Sequence, residues 1–324
     1  MFHIRLFLTY NHGIMNNLIP LKKGSKIGIA ASSSHFKKEE FEKGIKLLKE
    51  SGYKPIYSDN IFLKDGLFSG TAKERVQDFN CLISQKDINT IFFVRGGYGS
   101  VEMLPLLKKL DLSKKIKGKI FMGYSDVTAL FCHLYQKYRT PMFYGPNIIS
   151  RHLDTKILDC LSEPKDLKIK VQILRPGAKN ISADLFGGCL SVITSLAGTQ
   201  HLGSFKGKIL FIEDTNEAPH RIDRMLTQLL MSGTIKGIKA IAVGSMENCD
   251  TQNYGWKNAV LRIAEEMDIP VISGINAGHG SFDYPLPIGT KARIDFTNKE
   301  FLIYSPFKNK NKERLSRGKT KTVR

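Results

Sequence analysis

The chain has 324 residues, 42% of them hydrophobic, which is enough for substantial cores and suggests two domains rather than one. No apolar run reaches the length of a transmembrane helix, and the apolar N-terminal stretch has no small-residue cleavage site of a signal peptide. The five cysteines include no C-x-x-C pair, which excludes a zinc ribbon or a disulfide framework and fits a reducing cytoplasm. The eight histidines show no metal-ligand spacing, so neither a metal nor a cofactor is expected.

The net charge of +19 makes nucleic acid a partner to consider. Much of this charge lies in the segment 308–324, which contains eight Lys or Arg residues and one Glu. Because this segment has few apolar residues and no hydrophobic period, we expect a disordered, solvated tail. A nucleic-acid-binding or regulatory module is therefore the alternative of another class, ranked below an enzyme.

Short apolar strands alternate with helical patterns between residues 16 and 150, the predicted N-terminal domain. The predicted strands cover residues 26–31, 90–94 and 119–124. The first is followed by a helical pattern that places Phe41, Ile45 and Leu48 on one face, and the third by a helix from Asp126 to about Tyr138. This alternation predicts a parallel sheet with helices on both faces, whose binding sites form at the carboxyl ends of the strands.

The second half of the chain predicts a different domain. Residues 151–180 are charged and contain two prolines, which is typical of a connection between domains. Residues 181–306 contain a glycine-rich turn that opens a short helix, strands at 208–214 and 239–245, and a closing hairpin at 293–304. We therefore predict an α/β protein of two domains, the first with a parallel sheet and the second with a mixed α/β arrangement.

A serine stands at the turn between a predicted strand and a predicted helix, in 119-KIFMGYSDVTAL-130. Gly123 permits a tight turn before Ser125, and the backbone N–H of Asp126 would point at an oxyanion near the start of the helix. A serine here also caps a helix well. Since Val127 replaces the second glycine of G-x-S-x-G, the motif of the α/β-hydrolases is absent, and this turn alone leaves both interpretations open.

Three further loops place polar groups at the ends of predicted strands. The loop 95-RGGYGS-100 is either a tight turn or a source of N–H groups for an anion, and it matches no dinucleotide or phosphate motif. Glu213 and Asp214 end a strand, where an acid orients an imidazole or caps a helix. His279 lies between two glycines in 274-GINAGHG-280, a setting that suits a surface residue or a general base.

Ser125, Glu213 and His279 each lie in a loop beside a predicted strand. None of them identifies a catalytic site by itself. Because a nucleophile, an acid and a base act together in any chain order once the fold brings them into contact, the three together predict a hydrolase.

Six motifs in order connect these residues to a known family. They are LKKGSKIGIAASSS, RGGYGS, GYSDVTAL, GGCLSVITSLAGT, FIEDTNEAPHRIDRMLTQL and GINAGHG, and they span roughly residues 20–305. The sequence resembles the muramoyl-tetrapeptide LD-carboxypeptidases, a serine peptidase family that also contains the microcin C immunity proteins. This resemblance implies a cytoplasmic homodimer of two-domain α/β subunits, each with its site in the cleft between the domains.

The resemblance also implies a role for each site residue. Ser125 would be the nucleophile, His279 the base and Glu213 the acid, with no metal or cofactor. The oxyanion hole would use the backbone N–H of Asp126 together with that of Gly97, or of Gly96 as second choice.

The substrate follows from the resemblance as well. It would be a cytoplasmic murein tetrapeptide, cleaved at the L,D bond between its diamino acid and its terminal D-Ala, with no membrane partner. The free carboxylate needs a cation, for which Arg221 and Arg95 are the candidates.

Three features distinguish this sequence within the family. The turn GGCL places Cys189 where the family usually has an amide side chain, which affects any substrate contact made there. Glu217 stands where the microcin-immunity branch tends to have a lysine, and the Trp-containing insert of that branch is absent. Both of the latter observations favour a carboxypeptidase, with a microcin-C-type detoxifying serine amidase as the alternative.

Overall fold

The computed structural model describes residues 18–307. The basic tail 308–324 lies outside the described residues, so its predicted disorder stays a prediction. Within the described range the chain forms two sheets with helices packed on them, which confirms the mixed α/β fold expected from the sequence.

Fourteen strands lie within residues 18–307. They are β1 Lys26–Ala30, β2 Lys54–Ile56, β3 Ile88–Phe93, β4 Ile120–Gly123, β5 Met142–Tyr144, β6 Leu167–Lys170, β7 Gln172–Arg175, β8 Ile181–Cys189, β9 Lys208–Thr215, β10 Ala240–Glu247, β11 Val271–Ser273, β12 Leu286–Ile288, β13 Thr290–Asp295 and β14 Glu300–Ile303.

Nine α-helices lie within the same residues. They are α1 Lys38–Glu50, α2 Ala72–Ser84, α3 Ser100–Leu107, α4 Ser113–Ile116, α5 Val127–Tyr138, α6 Thr155–Cys160, α7 Leu190–Ser195, α8 Pro219–Met231 and α9 Trp256–Glu266. A 3-10 helix covers Asp59–Phe62. No helix among the described residues has both the length and the apolar character needed to cross a bilayer.

The first sheet has the strand order β12-β5-β4-β3-β1-β2. Its five N-terminal strands run parallel, whereas β12 comes from the second half of the chain and pairs antiparallel with β5. The middle strands are continuous apolar runs, since helices cover both faces of a parallel sheet. Their carboxyl ends meet at one edge, which is where the predicted loops lie.

The second sheet has the strand order β6-β14-β13-β8-β9-β10-β11-β7. Its centre, β8 to β11, is parallel, and antiparallel strands flank it on both sides. The expected closing hairpin is β13 and β14. Gly187, expected in a turn, lies inside β8. A glycine is needed at this position because β9 runs so close that a side chain would overlap the backbone carbonyl of Phe211.

The segment 151–180, expected to be a connection, contains regular structure. It holds α6 and the two edge strands β6 and β7, one at each end of the second sheet. Edge strands are short and charged because only one side of each is paired, and such a pattern is hard to distinguish from a linker in sequence.

Helix α5 joins the two halves of the molecule. Its residues Val127 to Tyr135 are all buried, and it packs on α3 of the first half and on α7 and β8 of the second. Near its C-terminal half, the ring Nδ1 of His133 lies 3.1 Å from that of His201. Burial, together with the charge of His201, lowers the pKa of His133 to about 4.

Because of this histidine pair, we expect the stability of the folded chain to fall at acidic pH. The unfolded chain takes up a proton on His133 near pH 6.5, whereas the folded chain resists it down to about pH 4, so stability falls as the pH drops between these values. The loss amounts to about 3 kcal/mol of unfolding free energy. Urea unfolding of His133→Gln should show a shallower decline between pH 6.5 and 4.5. The exposed His220→Asn is the control, and its decline should match that of the wild type.

Candidate active site

Ser125 occupies a strained turn between β4 and α5. Its φ is 64°, a left-handed conformation that costs a non-glycine residue roughly 1–2 kcal/mol. The backbone N–H of Ser125 donates to the hydroxyl of Tyr144 at 3.2 Å, and Gly96 packs directly against its side chain. Such strain persists only where the surroundings impose it, and it is common at functional sites.

His279 and Glu213 complete a hydrogen-bonded series with this serine. The Nε2 of His279 lies 3.0 Å from Ser125 Oγ, and its Nδ1 lies 2.8 Å from Glu213 Oε2. The backbone N–H of His279 donates to the same carboxylate oxygen at 3.0 Å. Glu213 lies near the carboxyl end of β9 and is fully buried, while His279 lies in the loop after β11 and is partly exposed. The fold therefore brings together three residues that are far apart in sequence.

The electrostatics suit an imidazole that accepts a proton. Burial acts to lower the pKa of His279, but the charge and the hydrogen bond of Glu213 outweigh it, so that the pKa is raised above its ordinary value. With Nδ1–H donating to Glu213, the other ring nitrogen presents its lone pair to Ser125 Oγ. This arrangement lets His279 take the hydroxyl proton and hold the resulting charge.

A buried network attaches the glycine-rich loop to the serine turn. The carboxylate of Asp126 accepts from the Ser33 hydroxyl at 2.6 Å and from the Ser100 backbone N–H at 2.8 Å. Burial raises the pKa of Asp126, although these hydrogen bonds oppose the shift. Since Ser100 closes the loop 95–100, Asp126 fixes that loop relative to its own backbone N–H.

A cavity of about 420 Å³ opens above the serine. It is lined by Arg95, Gly96, Gly97, Tyr124, Ser125, Asn147, Ile149, Ser150, Arg151, His152 and His279. Of the two arginines expected to hold a carboxylate, Arg95 lines this cavity. Arg221, which the structure also describes, does not, and its guanidinium pairs with Glu217 at 2.5 Å.

The sequence interpretation missed one wall of this cavity. Asn147, Arg151 and His152 lie in the loop after β5, and Tyr144 at the end of that strand donates a hydrogen bond to Glu213 Oε1. The rule applied to the other loops, that sites lie at the carboxyl ends of parallel strands, applies here as well. The signal was the three-residue run MFY before Gly145, too short to be taken as a strand.

Cys189, the departure in the GGCL turn, lies behind Glu213 rather than in the cavity. The two residues are opposite each other in the β8–β9 pair, and the thiol lies 3.7 Å from Asp214 Oδ1. Burial raises the pKa of Cys189 well above its ordinary value, and burial beside Glu213 raises that of Asp214 to about 6. Within residues 18–307 no cluster of three His, Cys, Asp or Glu side chains has the geometry to hold a metal ion.

Comparisons with known proteins match both halves of the chain. The profile of the LD-carboxypeptidase N-terminal domain matches residues 27–145, and that of the C-terminal domain matches residues 182–294. A putative carboxypeptidase of Rickettsia prowazekii is 34% identical over 242 residues, which cover 69% of this chain and 74% of that protein.

Two further proteins are similar over most of their length. The microcin C7 self-immunity protein of Escherichia coli is 29% identical, over 88% of this chain and 94% of its own. The crystal structure of a muramoyltetrapeptide carboxypeptidase from Oxalobacter formigenes superposes with a TM-score of 0.77 at 27% identity, covering 88% of this chain and all of the other. With both halves matched by the family's two domains, the chain belongs to the LD-carboxypeptidase family of serine peptidases.

Proposed function

We propose that this chain is a serine LD-carboxypeptidase that removes the terminal D-Ala from a murein tetrapeptide. The hydrogen-bonded series from Ser125 through His279 to Glu213, beside an open cavity, is the observation that carries the proposal. The carboxypeptidase names of several relatives support the same substrate class.

In the acylation half of the reaction, His279 Nε2 takes the proton of Ser125 Oγ as that oxygen attacks the amide carbonyl. Glu213 keeps the imidazole in the required tautomer and stabilises its positive form. The imidazolium then gives its proton to the leaving nitrogen, the C–N bond breaks, and D-alanine departs. The remaining tripeptide is held as an ester on Ser125.

In the second half, His279 takes a proton from water, and the resulting hydroxide attacks the ester. The imidazolium returns this proton to Ser125 Oγ, which frees the tripeptide. In both halves, negative charge develops on the carbonyl oxygen. We assign its stabilisation to the backbone N–H of Asp126 and of Gly97, with Gly96 as the alternative donor. Loss of one such donor typically lowers the rate by 10²- to 10³-fold.

The free carboxylate of the substrate requires a cation in the cavity. Arg95 donates to the carbonyls of Gly96 and His35, so part of its capacity is used within its own loop. Arg151 is 72% exposed; its Nε–H donates to His152 Nε2 at 3.3 Å and its Nη2 lies 3.8 Å from Glu247, so the exposed end of its guanidinium can reorient towards a bound peptide. We therefore propose Arg151, with Arg95 beside it, as the carboxylate anchor in place of Arg221.

Replacing Arg151 by glutamine should raise KM for the tetrapeptide by about 10- to 100-fold with a smaller change in kcat, since a charge-assisted hydrogen bond to the substrate is lost. Initial rates over a range of tetrapeptide concentrations measure the effect. Arg224→Gln, at an exposed position on α8, is the control. A larger rise in KM for Arg221→Gln than for Arg151→Gln would reject this assignment.

The function is tested by incubating the full chain with murein tetrapeptide and following the products by mass spectrometry. We expect tripeptide and free D-alanine in equal amounts. A folded protein that releases no D-alanine at micromolar concentration would contradict the proposal.

The similarity to the microcin C7 self-immunity protein supports a second candidate function, that of a detoxifying serine amidase with the same catalytic residues. Against this candidate, the chain has Glu217, paired with Arg221, at the position where the microcin-immunity branch tends to have a lysine. Competition between tetrapeptide and an aminoacyl sulfamoyl adenosine separates the two candidates. Faster cleavage of the sulfamoyl compound would select the amidase.

A cytoplasmic location and a homodimeric assembly remain proposals that come from the family resemblance. None of the five cysteines, all of which the structure describes, forms a disulfide, which suits a reducing compartment.

A further inference from the structure

Tyr144 is a fully buried residue whose hydroxyl lies between the acid and the nucleophile. It ends β5 in the first sheet, next to Gly123 of β4, and its side chain reaches Glu213 on β9 of the second sheet. The ring packs edge-on against Phe211, with centroids 5.4 Å apart. The hydroxyl group therefore connects the two halves of the molecule beneath the active site.

The hydrogen bonds of this hydroxyl are directional. Its single proton is donated to Glu213 Oε1, while its oxygen accepts the backbone N–H of Ser125 at 3.2 Å. Burial, and then the charge of Glu213, raise the pKa of Tyr144 well above its ordinary value, so the hydroxyl stays protonated. The other oxygen of Glu213 is left to the side chain and backbone of His279.

We propose that Tyr144 is a positioning residue for the reaction, acting through Glu213 and through the backbone of Ser125. By donating a hydrogen bond to Glu213, the hydroxyl partly compensates the negative charge of this carboxylate and so weakens its interaction with His279. By accepting the Ser125 N–H it holds the serine in its left-handed conformation, and it leaves Asp126 and the glycine-rich loop as the donors to the oxyanion. The inference rests on the proposed roles of Ser125, His279 and Glu213.

The consequence for His279 has a definite sign. Without the Tyr144 hydroxyl, Glu213 has one donor fewer, so its charge stabilises the imidazolium more strongly. The pKa of His279 therefore rises, and a larger fraction of the enzyme is protonated and inactive at a given pH. The acid limb of kcat/KM then moves to higher pH, which a purely structural role for the ring would not produce.

The test is Tyr144→Phe, which keeps the ring and removes only the hydroxyl. We expect the pKa of His279, measured by NMR titration of histidine-labelled full chain, to rise by about half a unit to one unit. The acid limb of kcat/KM should move by the same amount, and the plateau should fall about 10- to 100-fold because the Ser125 N–H loses its acceptor. An unchanged pKa of His279 would overturn the proposal.

Two further proteins complete the experiment. Tyr53→Phe removes another buried hydroxyl, 3.4 Å from Ser162 Oγ, and should leave the pKa of His279 unchanged. If Tyr144→Phe does not fold, site-specific 3-fluorotyrosine at position 144 keeps the hydroxyl as a stronger donor, and the pKa of His279 should fall; no fall would overturn the proposal. Because the NMR titration needs no turnover, it decides the role of Tyr144 even if the wild type releases no D-alanine.

Discussion

Replacing Ser125 by alanine should abolish the release of D-alanine from murein tetrapeptide, lowering kcat by about 10⁴- to 10⁶-fold. The variant keeps the cavity, the imidazole and the oxyanion donors, but it has no oxygen to form the ester. Single-turnover mass spectrometry of the wild type should also detect the tripeptide on the peptide that contains Ser125. Residual activity above about one per cent of the wild type would place the nucleophile elsewhere.

The fold of this variant should survive. The Ser125 side chain makes one hydrogen bond, to His279, and alanine adopts the same left-handed φ at a similar cost. We therefore expect a thermal midpoint within a few degrees of the wild type. Ser195→Ala, on the exposed face of α7, is the matched control and should retain activity. Any nucleic-acid binding that persists in Ser125→Ala would be separate from hydrolysis.

The parts of this site that are visible in the sequence share one property. Ser125, Glu213 and His279 each lie near the end of an apolar strand or in the loop beside it, where the general rule for parallel sheets expects site residues. Each residue alone had an ordinary structural explanation. The order of the motifs made the combination specific, because β4 and β9 lie in different sheets and the side-chain contacts that join their ends leave no local pattern in the sequence.

The parts that the sequence did not reveal depend on contacts between distant segments. Tyr144 ends a strand of three residues, and its importance comes from Glu213, 69 positions later, which no periodicity connects to it. In the sequence, Arg221 looked as suitable as Arg95 because both are arginines near predicted loops. Only the packing of α8 shows that Arg221 turns to Glu217 instead of the cavity.

The boundaries of the two halves were obscured for a related reason. Strand β12 belongs to the second half in sequence, yet it extends the first sheet by pairing with β5. Pairing between strands more than 140 residues apart leaves no trace in local composition. The same strand holds β5 in place, and thereby the loop that carries Asn147 and Arg151.

Replacing Gly96 by alanine should lower kcat/KM for the tetrapeptide by about 10²-fold or more. A Cβ at this position would lie 2.7 Å from Ser125 Cβ and 2.8 Å from Ser125 Oγ, closer than real Cβ atoms approach. It would also lie 3.4 Å from the backbone nitrogen of Asp126, in the space that we propose for the oxyanion. The methyl group therefore displaces the nucleophile and obstructs one donor at the same time.

This effect should be steric rather than conformational. The φ of Gly96 lies outside the left-handed region, so alanine takes the same backbone without strain, and we expect a stability loss of about 1–3 kcal/mol from overpacking. Gly28→Ala in β1 is the matched control, because its Cβ would come equally close, 2.7 Å, to the flexible end of Ile91. If both variants lose stability but only Gly96→Ala loses activity, the defect lies at Ser125. Equal loss of kcat/KM in both would show that the first sheet, and not the contact with the nucleophile, limits the reaction.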